Sequence, residues 1–322
     1  MDYSQTSRYI QNRAISLAQF DQLGSLTSIA VENTNQLIEN TLNYSFAINK
    51  HSFSVLAGHS YQKFFFLQRI VDQEGFEESS IDPRYTGDYI SSDINIVEVD
   101  AAAEENELQS FFGRVNYSYD DRYLLTATYR ADGSSKFGGN NQYAYFPSIA
   151  LGWTISNEQF FSSSFINNIK LRASWGETGN QEIPSKITQV SFEESRSDQN
   201  TYPLEDDQLS IDDYPLGITF ERLANPNLQW EVSRQTDIGL DFALFDQRLT
   251  GTIDYFLKVS DNILLEVTPP DPISPTPTFW TNIPDIEIRN QGLELSMAYS
   301  SKPGAAFSWT FGGNFSKINN EI

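Results

Sequence analysis

The sequence predicts an all-β chain folded as an antiparallel up-and-down β-barrel that spans a membrane, and three observations carry that prediction. Apolar and polar residues alternate with period two through much of the 322 residues, as they do in a strand with two unlike faces. No run of about 18 apolar residues occurs, which removes a transmembrane helix and leaves a barrel whose strands cross. The 23 Phe, 16 Tyr and 5 Trp crowd the apolar parity near strand ends, where barrels place their interfacial girdles.

Along the chain, weak alternation near Leu26 to Val31 becomes regular from Ile38 to Ile48. Strands are then expected at Phe53 to Tyr61, Phe111 to Tyr119, Tyr123 to Ala131 and Tyr143 to Ile155. Ile169, Leu171, Ala173 and Trp175 alternate with Lys170, Arg172, Ser174 and Gly176. The pattern returns at Ile238 to Leu244. From Leu249 to Val259 only Phe256 breaks the parity; Leu293 to Tyr299 and Phe307 to Ser316 follow. That makes about eleven strands by the alternation rule. The segment from Asn157 to Asn167 is expected to form a short amphipathic turn of helix.

The connections alternate too. Asn49 to His51, Asp120 to Arg122, Asp246 to Gln247 and Ser300 to Gly304 are tight, Asn157 to Asn167 is compact, and Asp132 to Gln142 is intermediate. About 67–106, 179–226 and 261–284 read as long loops. In an up-and-down meander this order puts every short turn at one end and every long loop at the other, as in outer-membrane barrels. Tyr117, Tyr119, Tyr123, Trp153, Tyr299, Phe307 and Trp309 fall by the short turns, while Tyr61, Tyr129, Trp175 and Tyr255 lie towards the loops. The alternative is a soluble or surface β-rich binding module, whose sheets would show the same alternation around an aliphatic core.

Charge and composition narrow the function. With 21 Lys+Arg against 43 Asp+Glu the net charge is −22, and 67–106 and 179–226 together carry −16 of it. A nucleic-acid partner, which needs a basic footprint, is excluded. There is no Cys, and His51 and His59 are the only histidines; His51 falls in a tight turn and His59 on the apolar parity, so both read as turn or interface residues and not as ligands. No nucleophile elbow, phosphate loop or dinucleotide fingerprint is present. No enzyme, metal or cofactor is expected. The amino terminus has no apolar core behind a basic start of the kind an export signal carries.

Phe111 to Phe161, FFGRVNYSYDDRYLLTATYRADGSSKFGGNNQYAYFPSIALGWTISNEQFF, resembles the barrel of SusC/RagA-type TonB-dependent transporters of the Bacteroidota. IKLRASWGETGNQEIP from Ile169, LANPNLQWEVSRQTDIGLDFALFDQRLTGTIDYF from Leu223 and NQGLELSMAYSS from Asn290 resemble the same family in the same order. The resemblance implies an integral outer-membrane protein with a 22-stranded plugged barrel, of which this chain is about half. It also implies oligosaccharide or peptide cargo, a SusD/RagB-like surface lipoprotein as partner, outer-membrane lipid around the strands, and the TonB complex acting on a plug domain that is absent here. Such a fragment is expected neither to close a barrel nor to transport on its own.

Candidate binding residues are the loop aromatics. The stretch TPPDPISPTPTFW from Thr268 is stiff because proline fixes φ and removes donors. It would present Phe279 and Trp280 at the mouth, and Tyr85, Tyr89, Tyr202 and Tyr214 occupy the other long loops. Aromatic faces suit the apolar faces of sugars or a partner's surface; a plain rigid loop is the competing reading. Glu205, Asp206, Asp207, Asp212 and Asp213 make an acidic loop without regular calcium-loop spacing, so a solvated loop is expected ahead of a bound cation. Arg130, Asp132, Lys170, Arg172, Asp254 and Lys258 fall on the polar parity, where a water-filled or plugged interior accepts charge.

Overall fold

The computed structural model describes residues 2–10, 24–76, 95–195, 217–268, 278–302 and 304–322. In chain order the strands are β1 (Asp2–Ile10), β2 (Gly24–Ile48), β3 (His51–Phe76), β4 (Asn95–Tyr119), β5 (Tyr123–Ser134), β6 (Tyr143–Thr154), β7 (Ile166–Asn180), β8 (Ser191–Ser195), β9 (Gly217–Arg222), β10 (Glu231–Leu244), β11 (Leu249–Asp261), β12 (Ile263–Val267), β13 (Phe279–Ile283), β14 (Ile288–Ser300) and β15 (Thr310–Glu321). Eleven of them form one sheet in the order β1-β2-β3-β4-β5-β6-β7-β10-β11-β14-β15, with β8-β9 and β12-β13 as separate pairs. Strands adjacent in the sheet are consecutive apart from the two inserted hairpins, the up-and-down order the alternating connections predict.

The agreement at eleven hides two compensating differences. The segments read separately at Leu26 to Val31 and Ile38 to Ile48 are one continuous strand, β2, and β1 was not foreseen because Asp2–Ile10 alternates too weakly. The long connections are also narrower than their sequence bounds. β3 runs on to Phe76 and β4 begins at Asn95, and the other two connections contain the β8-β9 and β12-β13 hairpins.

The expected helix from Asn157 to Asn167 is absent. One turn of 3-10 helix covers Ile155–Asn157, and the chain beyond it follows side-chain-capped turns. Ser163 Oγ accepts from the backbone N–H of Phe165 at 3.4 Å and of Ile166 at 3.2 Å. Asn157 Nδ2 donates to the Asp121 carbonyl at 3.0 Å. Short polar side chains that satisfy backbone groups locally outcompete a helix this short.

The chain divides into two compact units. The first comprises Met1–Ile38 and Tyr61–Glu107. Within it Lys63 Nζ bonds Glu105 at 2.8 Å and approaches Glu107 at 3.9 Å, and Gln62 Nε2 donates to Asn35 Oδ1 at 3.0 Å. The second unit comprises Glu39–Ser60 and Leu108–Ile322. Its tight turns sit in left-handed backbone conformations at Asn49, at Asp120 and Asp121, and at Phe245 to Gln247, positions where Asn and Asp are tolerated best.

These turns are stitched sideways into a continuous rim. Asp120 N–H donates to the Lys50 carbonyl at 2.8 Å, Phe245 N–H to Phe165 at 2.7 Å and Ser300 N–H to Arg248 at 2.8 Å. Lys50 Nζ lies 2.7 Å from Asp120, and Arg122 lies 2.9 Å from Asp120 and 3.5 Å from Glu158. Hydrogen bonding from Lys50 holds the Asp120 carboxyl below the usual carboxylate range. Hydrogen bonds from Tyr123 and then Trp153 do the same for Glu158.

The register resolves the two faces. Residues directly opposite in neighbouring strands point to the same side, and one row runs Tyr119, Tyr123, Trp153, Leu171, Leu240, Ile253, Leu295, Phe315 across eight strands. The next row on the same side is Tyr117, Leu125, Leu151, Ala173, Ile238, Tyr255, Leu293. This apolar face is open: Leu151 is 54% exposed and Ile238 57%. A soluble sandwich would bury it. Phe165 to Trp175 spans eleven residues, the length a tilted strand needs to cross hydrocarbon, about 9–11. Just beyond that band Arg234 pairs with Glu177 at 2.9 Å and with Asp261, so charge returns to this face where the apolar stretch ends.

Candidate functional site: a charged wall and a clasped mouth

The opposite face carries the polar parity, and its central row is Ser118, Leu124, Gly152, Arg172, Gly239, Asp254, Glu294, Ser316. Arg172 on β7 reaches Asp241 on β10, with Nε 2.9 Å from both carboxylate oxygens, and crosses to Asp254 on β11, Nη2 to Oδ1 2.7 Å. Gly239 is the residue it crosses. A Cβ there would stand 2.2 Å from Asp254 Oδ1 and 2.7 Å from Arg172 Nη2, so glycine clears the path for a bridge over three strands. Asp237 is held one step along β10 by Ser174 Oγ at 3.2 Å and Gln235 Nε2 at 2.9 Å.

A second charged group lies nearer the loops. Arg130 Nε chelates Asp132 at 2.7 and 2.8 Å while Nη2 donates to the fully buried Ser110 Oγ at 2.9 Å. The guanidinium also stands 5.5 Å above the Phe112 ring. Phe256, the one residue out of parity in its strand, lies against Gly292, where a Cβ would meet its ring at 2.8 Å. A glycine without a side chain thus gives the aromatic ring room on this wall.

At the long-loop end the same unit builds a hydrophobic core from residues scattered through polar connections. Phe137, Phe146, Ile183, Ile187, Leu228, Trp230 and Leu264 are buried together, with Leu108, Ala144 and Trp280 packed against them. Trp230 is central: its ring stacks on Phe137 at 5.0 Å and meets Phe146 edge-on at 5.6 Å, and its Nε1 donates to the Gln142 carbonyl at 3.0 Å.

Of the six candidate binding aromatics, Phe279 and Trp280 fall within β13, paired to Val267 and Glu266 of β12. Trp280 is half-buried against the core and its carbonyl accepts from Asn225 Nδ2 at 2.9 Å. Tyr85, Tyr89, Tyr202 and Tyr214, with the acidic run from Glu205 to Asp213, lie outside the described residues. His51 opens β3, not a turn, and its Nδ1 is 2.8 Å from the Tyr117 hydroxyl. His59 sits 3.2 Å from Gln109 Nε2 and 4.8 Å from the Phe111 ring. Among the described residues no cluster of three metal-ligating side chains forms.

Sequence parity placed Arg130, Asp132, Arg172 and Asp254 on one face, and the structure joins them in pairs. It did not single out Asp241 or Gly239, because register alone brings them beside Arg172. Nor did it find the mouth core, whose members share no period. The signal it held was the apolar Leu228 and Trp230 inside a connection rich in Asn and Pro.

The family described as TonB dependent receptor-like, beta-barrel matches residues 2–321. This chain belongs to that family. The chain is therefore an outer-membrane β-barrel segment, its apolar face towards lipid and its polar face towards the lumen. Among relatives of this TonB-dependent receptor chain, TonB-dependent receptor P3 of Formosa agariphila is 35% identical over 302 residues, covering 90% of the chain and 27% of the relative. TonB-dependent receptor SusC of Bacteroides thetaiotaomicron is 32% identical over 280 residues, 87% of the chain and 26% of that protein. A chain in the structure of the RagAB peptide transporter superposes with a TM-score of 0.81 at 26% identity, covering 99% of this chain and 33% of its own length. This receptor chain thus spans about a quarter to a third of the proteins it matches.

Proposed function

We propose that the protein to which this barrel segment belongs is a TonB-dependent importer of oligosaccharides or peptides that works with a SusD/RagB-like surface lipoprotein. The observation that carries the reading is the match over nearly the whole segment to both SusC and the RagAB transporter chain. The wall supports it. Its two arginines are answered within it by Asp241, Asp254 and Asp132, and hydroxyls, amides and further charges share the face with a few rings, a surface suited to polar cargo in a wet lumen. Energy would reach the cargo path through a plug contacted by the TonB complex.

At the mouth, Phe279 and Trp280 are proposed to border the entry path with Tyr85, Tyr89, Tyr202 and Tyr214. Rings there offer stacking area to sugars and to aromatic or proline residues of peptides. The test is genetic and biochemical. Deleting the gene should abolish uptake of a labelled oligosaccharide or peptide pool, and an affinity-tagged full-length protein should bring down a surface lipoprotein from detergent-solubilised outer membranes. Unchanged uptake of both pools, together with purification free of any lipoprotein, would overturn the proposal.

A further inference from the structure

The β12-β13 hairpin leaves the main sheet within one of the long connections, and five-residue paired strands are marginal without further support. Here the support is specific, and three of its hydrogen bonds come from one side chain. Asn282 Oδ1 accepts from the Gln229 backbone N–H at 2.8 Å, and its Nδ2 donates to the Gln229 carbonyl at 2.8 Å and to the Asn262 carbonyl at 3.1 Å. The side-chain amide therefore presents to Gln229 the same donor and acceptor that a neighbouring strand would present, and it closes the base of its own hairpin at Asn262.

Further ties surround it. Asn262 Nδ2 donates to the Trp230 carbonyl at 3.0 Å, Asn225 Nδ2 to the Trp280 carbonyl at 2.9 Å, and the Leu264 N–H to Glu231 Oε2 at 3.2 Å. Asn282 stands opposite Leu264 in the hairpin register, and Leu264 is buried in the mouth core. The polar latch and the apolar anchor thus occupy one rung.

We infer that Asn282 is a positioning residue that locks the β12-β13 hairpin to the segment around Gln229, so that this part of the mouth is a fixed wall and not a moving lid. An Asp at this position keeps the acceptor for Gln229 N–H but loses both donors and sets a carboxylate against two carbonyl oxygens. Without their donors the two carbonyls turn to water and the tie opens more readily.

The experiment uses the full-length protein in detergent micelles. In the wild type, amide exchange across β12 and β13 should be as slow as in β10 and β11. In Asn282→Asp it should accelerate about tenfold across Ile263–Val267 and Phe279–Ile283, the effect of losing one or two such bonds. Exchange in β10, β11 and β14 should stay unchanged, which a general loss of stability would not allow. Equal exchange in variant and wild type would refute the latch.

A second measurement needs no latch variant. This chain has no cysteine, and Leu265 is exposed, so a nitroxide on Leu265→Cys reports the hairpin directly once any cysteine elsewhere in the full-length protein is removed. An immobilised spectrum supports the fixed wall; a freely tumbling label would overturn it even if Asn282→Asp fails to assemble.

Discussion

Replacing Gly239 with alanine places a methyl group 2.2 Å from Asp254 Oδ1 and 2.7 Å from Arg172 Nη2, so the bridge from β7 to β11 must open. The methyl would also stand 2.9 Å from Arg172 Cζ, so the guanidinium shifts as a whole, and its two Nε contacts to Asp241 are the ones expected to persist. What is lost is one charge-assisted contact whose partners are 37% and 26% exposed. Solvent screening reduces an exposed pair to below about 1 kcal/mol, while a hydrogen bond to a charged group reaches roughly 1.5–3 kcal/mol. A partly shielded wall falls between, at about 1–2 kcal/mol. Asp254 is then left beside Glu294, its register partner on β14, and like charges directly opposite add to the loss. Urea unfolding of the full-length protein in micelles, followed by Trp fluorescence, measures the difference. Gly113→Ala is the control, since its nearest foreign atom would be at an ordinary 3.8 Å. In an Asp254→Ala background the bridge is already lost and only the flexible Arg172 guanidinium has to shift, so Gly239→Ala should cost less there, with a coupling of about 1 kcal/mol. Additive losses, or a Gly239→Ala protein as stable as wild type, would refute the steric account.

The two faces should differ sharply at adjacent positions: Ala173→Arg, towards lipid, should destabilise by about 2–4 kcal/mol near the bilayer centre and impair assembly, whereas Ser174→Arg should be tolerated. Single cysteines at Leu171, Ile253 and Leu295 should react with a lipid-soluble maleimide and resist a membrane-impermeant one. Trp230→Ala should cost about 3–5 kcal/mol through the cavity it leaves, read as loss of near-ultraviolet dichroism and faster proteolysis of the long connections with β6 and β7 intact. At the short-turn rim, Asp120 and Glu158 have carboxyls depressed below their ordinary values of 3.8 and 4.5. Their stabilisation is therefore complete above those values and fades as pH falls through the depressed ones. Lys50→Met should shrink that acid-limb sensitivity, most visibly at low salt, and an unchanged acid limb would count against the Lys50–Asp120 pairing.

Period-two alternation carried most of the architecture, because lipid on one side and water on the other impose opposite demands on successive residues. It placed Leu171 and Arg172 on opposite faces correctly, and it located the tight turns near Asn49, Asp120 and Asp246, though not those at Asn262 and Asp285 inside and beside a long connection. It failed where other forces decide. At Asn157 to Asn167 amphipathic spacing suggested helix, yet Ser163 and Asn157 bond the backbone locally. The mouth core was illegible because Phe137, Ile183, Leu228 and Leu264 come from three separate connections between strands of the main sheet and meet only in three dimensions. The Arg172 bridge was half visible: parity gave the face, but only register shows that Gly239 stands between its ends.

The alternation of short turns and long connections also bears on the order in which the sheet can assemble. Four residues separate β10 from β11, and fifty separate β7 from β10. Loop-closure entropy rises as the logarithm of length, so the second pairing starts at a disadvantage of roughly 2 kcal/mol. Hairpins β2-β3, β4-β5 and β10-β11, whose links are two to four residues long, should consequently form early, with lateral zippering between them limiting the rate. In the case of β7 and β10 the mouth core around Trp230 collapses the intervening chain and shortens the effective gap. A group that packs the long-loop end of the folded segment would thus also act as a catalyst of its own sheet's assembly.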